Sequence, residues 1–180
     1  HQRLKLCRIA LTSLLLQSRL PDRINLWVSR EPYLRDRGIA DHRALDQLLD
    51  ELPVPHRDLV RIRWVTNTGP YRKLIPALRE AGADDVLVTA DDDIFYGRDW
   101  LAGLLRHFER NHQQPVAARV RKKSFNVLGI KTSYLYWNVI TEKSAVDDDF
   151  VITFGGGAVL KKSAFQPEDI ASDAYLDMSP

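Results

Sequence analysis

The sequence has a single cysteine, Cys7, and a single methionine among its 180 residues. A lone cysteine excludes an intrachain disulfide and any zinc site built from several thiolates, and it fits a reducing compartment. Long apolar runs are missing too: each covers only a few residues, where about 20 are needed to cross a bilayer. Charge of one sign is not in excess. The formal net charge is +2, so the chain is no polyelectrolyte partner for nucleic acid and any basic patch has to be local. The five histidines (His1, His42, His56, His107 and His112) show no metal-ligand spacing and read as surface residues. No signal-peptide pattern opens the chain, no internal repeat appears, and a cytoplasmic location is expected.

What is present is a globular composition, 44% apolar and 28% charged, in a length that suits one domain with a real core. Leu4, Cys7, Leu11, Leu14 and Leu15 share one helical face and predict a helix over residues 4–18, stopped by Pro21 and Asp22. Residues 24–29 are apolar at nearly every position and read as a short buried strand. Asp41 as a cap, with Leu45, Leu48, Leu49 and Leu52 at helical spacing, predicts a second helix ended by Pro53 and Pro55. A strand over 61–66, a turn over 67–70 and a helix to Ala81 follow, with Gly82 as C-terminal cap and Pro76 arguing for a kink or a late start. Residues 86–90 are the clearest strand; a helix from Asp99 carries Leu101, Leu104, Leu105 and Phe108, and a strand over 115–120 closes the regular part. This alternation is the signature of a layered α/β domain with a mainly parallel sheet. Such domains usually begin with a strand. Opening on a helix predicts either that the first strand is missing from this chain or that residues 4–18 are not helical.

The candidate site is the run Asp91, Asp92, Asp93, directly after the 86–90 strand. Open α/β sheets bind ligands at the carboxyl ends of their strands. Adjacent carboxylates repel: two unit charges about 4 Å apart cost roughly 4 kcal/mol at an effective dielectric near 20. A divalent metal turns that repulsion into binding, and Mg²⁺ typically takes one or two carboxylates plus substrate phosphates. In an extended conformation Asp91 and Asp93 would point one way and Asp92 the other. The plainer alternative is a solvated loop whose aspartates cap the next helix. A second run, Asp147, Asp148 and Asp149, has no strand to aim it and reads as a surface loop.

Arg119, Arg121, Lys122 and Lys123 form the only dense basic cluster, suited to a diphosphate or an anionic acceptor, or else a solvated strand end. Tyr134, Tyr136 and Trp137 either stack on acceptor sugar rings or alternate in a strand and fill the core. Cys7 reads as a small buried hydrophobe.

The stretch VLVTADDDIFYGRDWLAGLL resembles the metal-binding segment of GT-A-fold glycosyltransferases, in particular bacterial family-2-like enzymes of surface polysaccharide assembly. In these, a strand ends in a DxD motif, followed by an aromatic residue and a helix starting near DWL. The likeness covers most of the chain. LTSLLLQSRLPDRINLWVS at 11–29 looks like their first helix and second strand, YRKLIPAL at 71–78 like the segment before the DxD strand, and FGGGAVL at 154–160 like the glycine-rich stretch on the acceptor side.

The resemblance implies one α/β domain over residues 1–180, a GT-A (Rossmann-like) mixed, mainly parallel sheet flanked by helices, lacking its first strand and incomplete at both ends. It implies that Asp91 and Asp93 bind Mn²⁺ or Mg²⁺, which bridges the diphosphate of a nucleotide-sugar and stabilises the leaving nucleoside diphosphate. Asp92 would touch the ribose or donor sugar, and Lys73 the nucleotide or phosphate, unless it is an ordinary exposed lysine. Gly155, Gly156 and Gly157 would let the backbone approach a sugar, unless they form a bulge or turn; no Walker-type lysine follows them, which excludes a P-loop. Trp137 would lie on the acceptor side. The implied partners are a nucleotide-sugar and a glycan or lipid-linked acceptor, with inverting transfer of hexosyl type. No nucleic acid and no transmembrane segment are implied, while peripheral association with the inner face of the membrane is compatible.

Inverting transfer needs a carboxylate to take the acceptor's proton. By the family pattern that base lies beyond Pro180, because Asp173 and Asp177 come too early. Two other readings stay open: a non-catalytic nucleotide-sugar-binding fragment, and a phosphotransferase of haloacid-dehalogenase type, which would want its aspartates near the start of the chain.

Overall fold

The computed structural model describes residues 2–33, 36–110, 114–142 and 149–174. The first predicted helix is there, as α1 (Gln2–Leu15), followed by β1 (Ile24–Val28), α2 (Arg43–Asp50) and β2 (Val60–Trp64). Cys7, Leu11 and Leu15 of α1 meet Leu48 and Leu52 from the α2 segment and Val60 of β2 in one apolar cluster. The leucine spacing that predicted both helices is therefore the spacing that covers the β1–β2 ribbon. The N-cap of α2 is His42, without a side-chain capping bond, and Asp41 just before it accepts the N–H of Arg43 at 2.9 Å. β1 and β2 pair in parallel, Ile24 opposite Val60 and Val28 opposite Trp64.

A 3-10 turn over Gly69–Lys73 leads into α3 (Ile75–Glu80), so Pro76 sits at the helix start, where proline is tolerated. Gly82 is not a left-handed cap. α3 ends on Ala81 in an extended conformation, and Gly82 is absent from the glycines with positive φ. β3 (Val86–Thr89) and α4 (Trp100–Phe108) come next. The predicted 115–120 strand is two short strands in different sheets, β4 (Val116–Ala117) and β5 (Val120–Lys122). β6 (Asn138–Ile140), β7 (Phe150–Ile152), β8 (Ala158–Lys161) and α5 (Pro167–Ala171) complete the described elements.

Among the described residues the strands form three small sheets, and these are not mainly parallel. β8 lies between β3 and β4 and is antiparallel to both, and β5 lies between β6 and β7 in the same sense. Apolar periodicity reports a strand and its buried faces but not its direction, which explains the difference. Register decides the packing. Leu87 pairs with Leu160 and faces Leu78 of α3 and Ile170 of α5; Val88 pairs with Val159 and faces Leu104 and Phe108 of α4. A strand covered on both faces must be apolar at successive positions, and VLV and AVL are. That two-sided burial fixes β3, whose carboxyl end delivers Asp91.

Candidate functional site

β3 stops at Thr89, and Thr89 is where the glycine-rich stretch is first fastened. Its buried hydroxyl donates to the Phe154 carbonyl at 3.0 Å and accepts the Ala158 N–H at 3.1 Å. Residues 154–156 form a 3-10 turn rather than a bulge, and Gly157 follows at φ +104, a conformation L side chains rarely adopt. A Cβ on Gly157 would stand 2.3 Å from the Trp100 ring, and one on Gly155 would stand 2.3 Å from Oδ2 of Asp91. The glycines are therefore required by close approach, one to an aromatic ring and one to the first carboxylate of the run.

Tyr96 ties these parts together. Its hydroxyl accepts the Asp91 N–H at 2.7 Å and donates to the Gly155 carbonyl at 2.9 Å. Burial pushes this phenol up to about 12, so it keeps the proton the second bond needs. The Tyr96 and Trp100 rings lie 4.2 Å apart, and Trp100 Nε1 donates to the Gly156 carbonyl at 2.9 Å. The loop that carries Tyr96 is anchored by two buried side chains of the α1 segment. Ser13 Oγ accepts the Tyr96 N–H at 3.1 Å, while Gln17 donates to the Gly97 carbonyl at 2.8 Å and accepts the Leu101 N–H at 2.9 Å.

The carboxylates do not stand unscreened. Lys73 Nζ forms an ion pair with Asp91 Oδ1, each side chain about a third exposed. Arg3 of α1 grips Asp92 with two hydrogen bonds, Nε at 2.8 Å and Nη2 at 3.0 Å. Asp93 is exposed and has no hydrogen-bond partner among the described residues. The extended alternation expected of the run is absent, since Asp92 and Asp93 lie in a turn. Asp91 and Asp92 nonetheless go to different elements, one to the end of the 69–73 turn and the other to α1.

The same 3-10 turn holds a second cation. Arg72 donates to Asp36 Oδ2 at 2.8 Å and to Ser29 Oγ, at the carboxyl end of β1, at 3.1 Å. Burial alone would raise the Asp36 carboxyl, but the Gly38 N–H, the Arg72 guanidinium and the charge of Arg3 outweigh it and hold it below its ordinary value. Adjacent residues Arg72 and Lys73 thus join the ends of β1 and β3. Proline and glycine at the start of that turn were its sequence signal. The reach of Arg3 over eighty-nine positions had none.

Trp137 bonds through Nε1 to the Thr132 carbonyl at 3.0 Å and packs on Tyr134. Tyr134, Leu135 and Tyr136 form an exposed 3-10 turn, not a core strand. The apolar spacing misled because these residues form a 3-10 turn instead of an extended strand. Asp173 accepts from Arg79 at 2.8 Å beside α5; Asp147, Asp148 and Asp177 lie outside the described residues. Cys7 is buried as expected, and burial pushes its thiol up to about 12.

Among the described residues no group of three or more His, Cys, Asp or Glu side chains converges as a metal cage. Asp91 and Asp93 offer hard carboxylate oxygens, the donor chemistry of an ion that takes one or two carboxylates and completes its shell with phosphate and water. No helix among the described residues is long and apolar enough to cross a membrane. The sequence model described as Glycosyl transferase family 2 matches residues 42–167, from the start of α2 to the start of α5. No curated protein sequence matches the chain.

Proposed function

The chain belongs to glycosyl transferase family 2, and on that premise we propose that the end of β3 is the donor site of a metal-dependent, inverting transferase. The family implies a GT-A fold and sugar transfer from nucleotide-sugar donors. The observation that carries the reading is the joint convergence on Asp91: Lys73 on one carboxylate oxygen, Gly155 against the other, and Tyr96 on the backbone N–H.

In this reading Asp91 and Asp93 hold Mn²⁺ or Mg²⁺, whose chemistry is to stabilise negative charge on the leaving nucleoside diphosphate. Lys73 is a cation already at the site. When a diphosphate enters, its ammonium is placed to leave Asp91 for a phosphate oxygen, since charge-assisted bonds to either are comparable. Asp92 stays with Arg3 or turns to the donor's ribose. Gly155, Gly156 and Gly157 leave backbone open on the acceptor side, where the small size of glycine lets a sugar come close. The acceptor is a glycan or a lipid-linked sugar of surface polysaccharide assembly, handled on the cytoplasmic side. The acceptor's proton is assigned to no member of the run, because Asp91 and Asp92 are paired and Asp93 serves the metal.

A thermal-shift screen of UDP-, GDP- and CMP-sugars with Mn²⁺ tests this. Binding at a hundredfold excess over Kd stabilises the native state by about 2.7 kcal/mol. One donor class should raise the melting temperature of the native protein, and Lys73→Met and Asp91→Asn should each remove the shift. No shift with any donor, or a shift those variants keep, would overturn the proposal.

A further inference from the structure

From Pro115 to Thr141 the chain carries Arg119, Arg121, Lys122, Lys123 and Lys131 and no aspartate or glutamate. The same stretch holds the three most exposed large apolar side chains of the described residues, Val127, Leu135 and Leu128, and Tyr136 beside them. Val127, Leu128, Leu135 and Tyr136 are 103%, 78%, 82% and 76% exposed. Apolar surface on this scale, concentrated in one segment, marks an interaction site.

The segment is built, not loose. Phe125 and Lys131 form an antiparallel bridge, and the Asn126 N–H donates to the Ile130 carbonyl at 2.9 Å. The Asn126 side-chain oxygen accepts the N–H groups of Leu128 and Ile130, both at 3.0 Å, and the Gly129 N–H returns to the Asn126 carbonyl at 2.9 Å. Four donors of the tip are thereby satisfied inside the turn. The base is equally fixed: Thr132 N–H bonds the Ser124 carbonyl at 2.8 Å, and Arg121 donates to the carbonyls of Tyr134 and Trp137 at 3.2 and 3.0 Å.

These features select one occupant. Internally paired amides remove the main penalty for moving backbone out of water. Exposed apolar side chains, neighbouring cations, and tyrosine and tryptophan in the same segment are the residue types of a lipid interface. A second copy of the chain would set two acid-free basic segments against each other, a repulsive arrangement. We propose that the 119–140 lobe docks the protein onto an anionic lipid bilayer, Val127, Leu128 and Leu135 entering the acyl boundary and Lys122 and Lys131 meeting lipid phosphates. The proposal is independent of the donor-site reading and can hold or fail without it.

Flotation with vesicles of phosphatidylcholine plus phosphatidylglycerol, against phosphatidylcholine alone, provides the test. The protein should float with the anionic vesicles only, and less as salt rises. Val127→Asp with Leu128→Asp should cut the bound fraction about tenfold, as should Lys122→Glu with Lys131→Glu. Both variants change exposed side chains, so their unfolding curves should match the native protein. Absence of flotation, equal flotation with neutral vesicles, or undiminished flotation of the first variant overturns the proposal. So does a native dimer that the first variant dissolves while vesicles bind neither form.

Discussion

At the end of β3, Asp91 and Asp92 are paired with cations and glycine backbone packs against a carboxylate; in the 119–140 lobe, backbone is paired but apolar side chains stand in water. Asp91 touches a lysine, a glycine and a tyrosine-bound amide, while Leu128 and Leu135 touch almost nothing. On the two proposals, the contrast teaches how each region would meet its ligand. A carboxylate already paired with a lysine can admit a small anionic group by exchanging one partner for another. An exposed apolar tip with a rigid backbone needs a soft, extended partner. The first should be intolerant of added atoms and the second indifferent to them.

Substitutions can break this contrast or sharpen it. Gly157→Ala combines a positive φ with a collision against the Trp100 ring, and should destabilise the fold by about 3 kcal/mol in urea unfolding. Tyr96→Phe leaves the Asp91 N–H and Gly155 carbonyl without their shared partner and should cost about 2 kcal/mol. It should also flatten the alkaline limb of stability. Tyr96 and Cys7 are both raised to about 12, so above their ordinary values the unfolded chain releases protons the native chain retains. Stability is then unaffected below about pH 9 and falls as pH rises toward 12, partly because of Tyr96.

Gly155→Ala meets only the tip of a side chain, so the fold should persist. Nucleoside diphosphate binding should weaken roughly tenfold as the Asp91 carboxylate is pushed aside. Arg3→Ala removes a largely exposed pair and should cost under about 1 kcal/mol. Val127→Asp with Leu128→Asp should change stability by no more than about 0.5 kcal/mol. If this pair proved as costly as Gly157→Ala, the lobe would be core and the contrast would fail.

Much of this was legible in residues alone. The leucine spacings of α1 and α2, the VLV run of β3 and the acidic run after it all report local burial, which a sequence carries directly. Lys73 and the glycine stretch were singled out through resemblance, not spacing, and their meeting at Asp91 is seen only in the structure. Strand direction stayed hidden, because β8 is as apolar antiparallel as it would be parallel. Tyr134 and Tyr136 alternate like strand residues yet occupy an exposed 3-10 turn, which nothing in their own pattern records. The Arg3–Asp92 pair and the Tyr96 bridge are products of folding at long range, and no local signal announces them.

The claim at the centre is that Asp91 and Asp93 hold a divalent ion against a diphosphate. Calorimetric titration of UDP and GDP into the native protein and Asp93→Ala, each with and without Mn²⁺, tests it most directly. Nucleoside diphosphate binding that requires Mn²⁺ in the native protein and vanishes in Asp93→Ala is the predicted result. Binding of equal strength in both proteins, or without the metal, would contradict it.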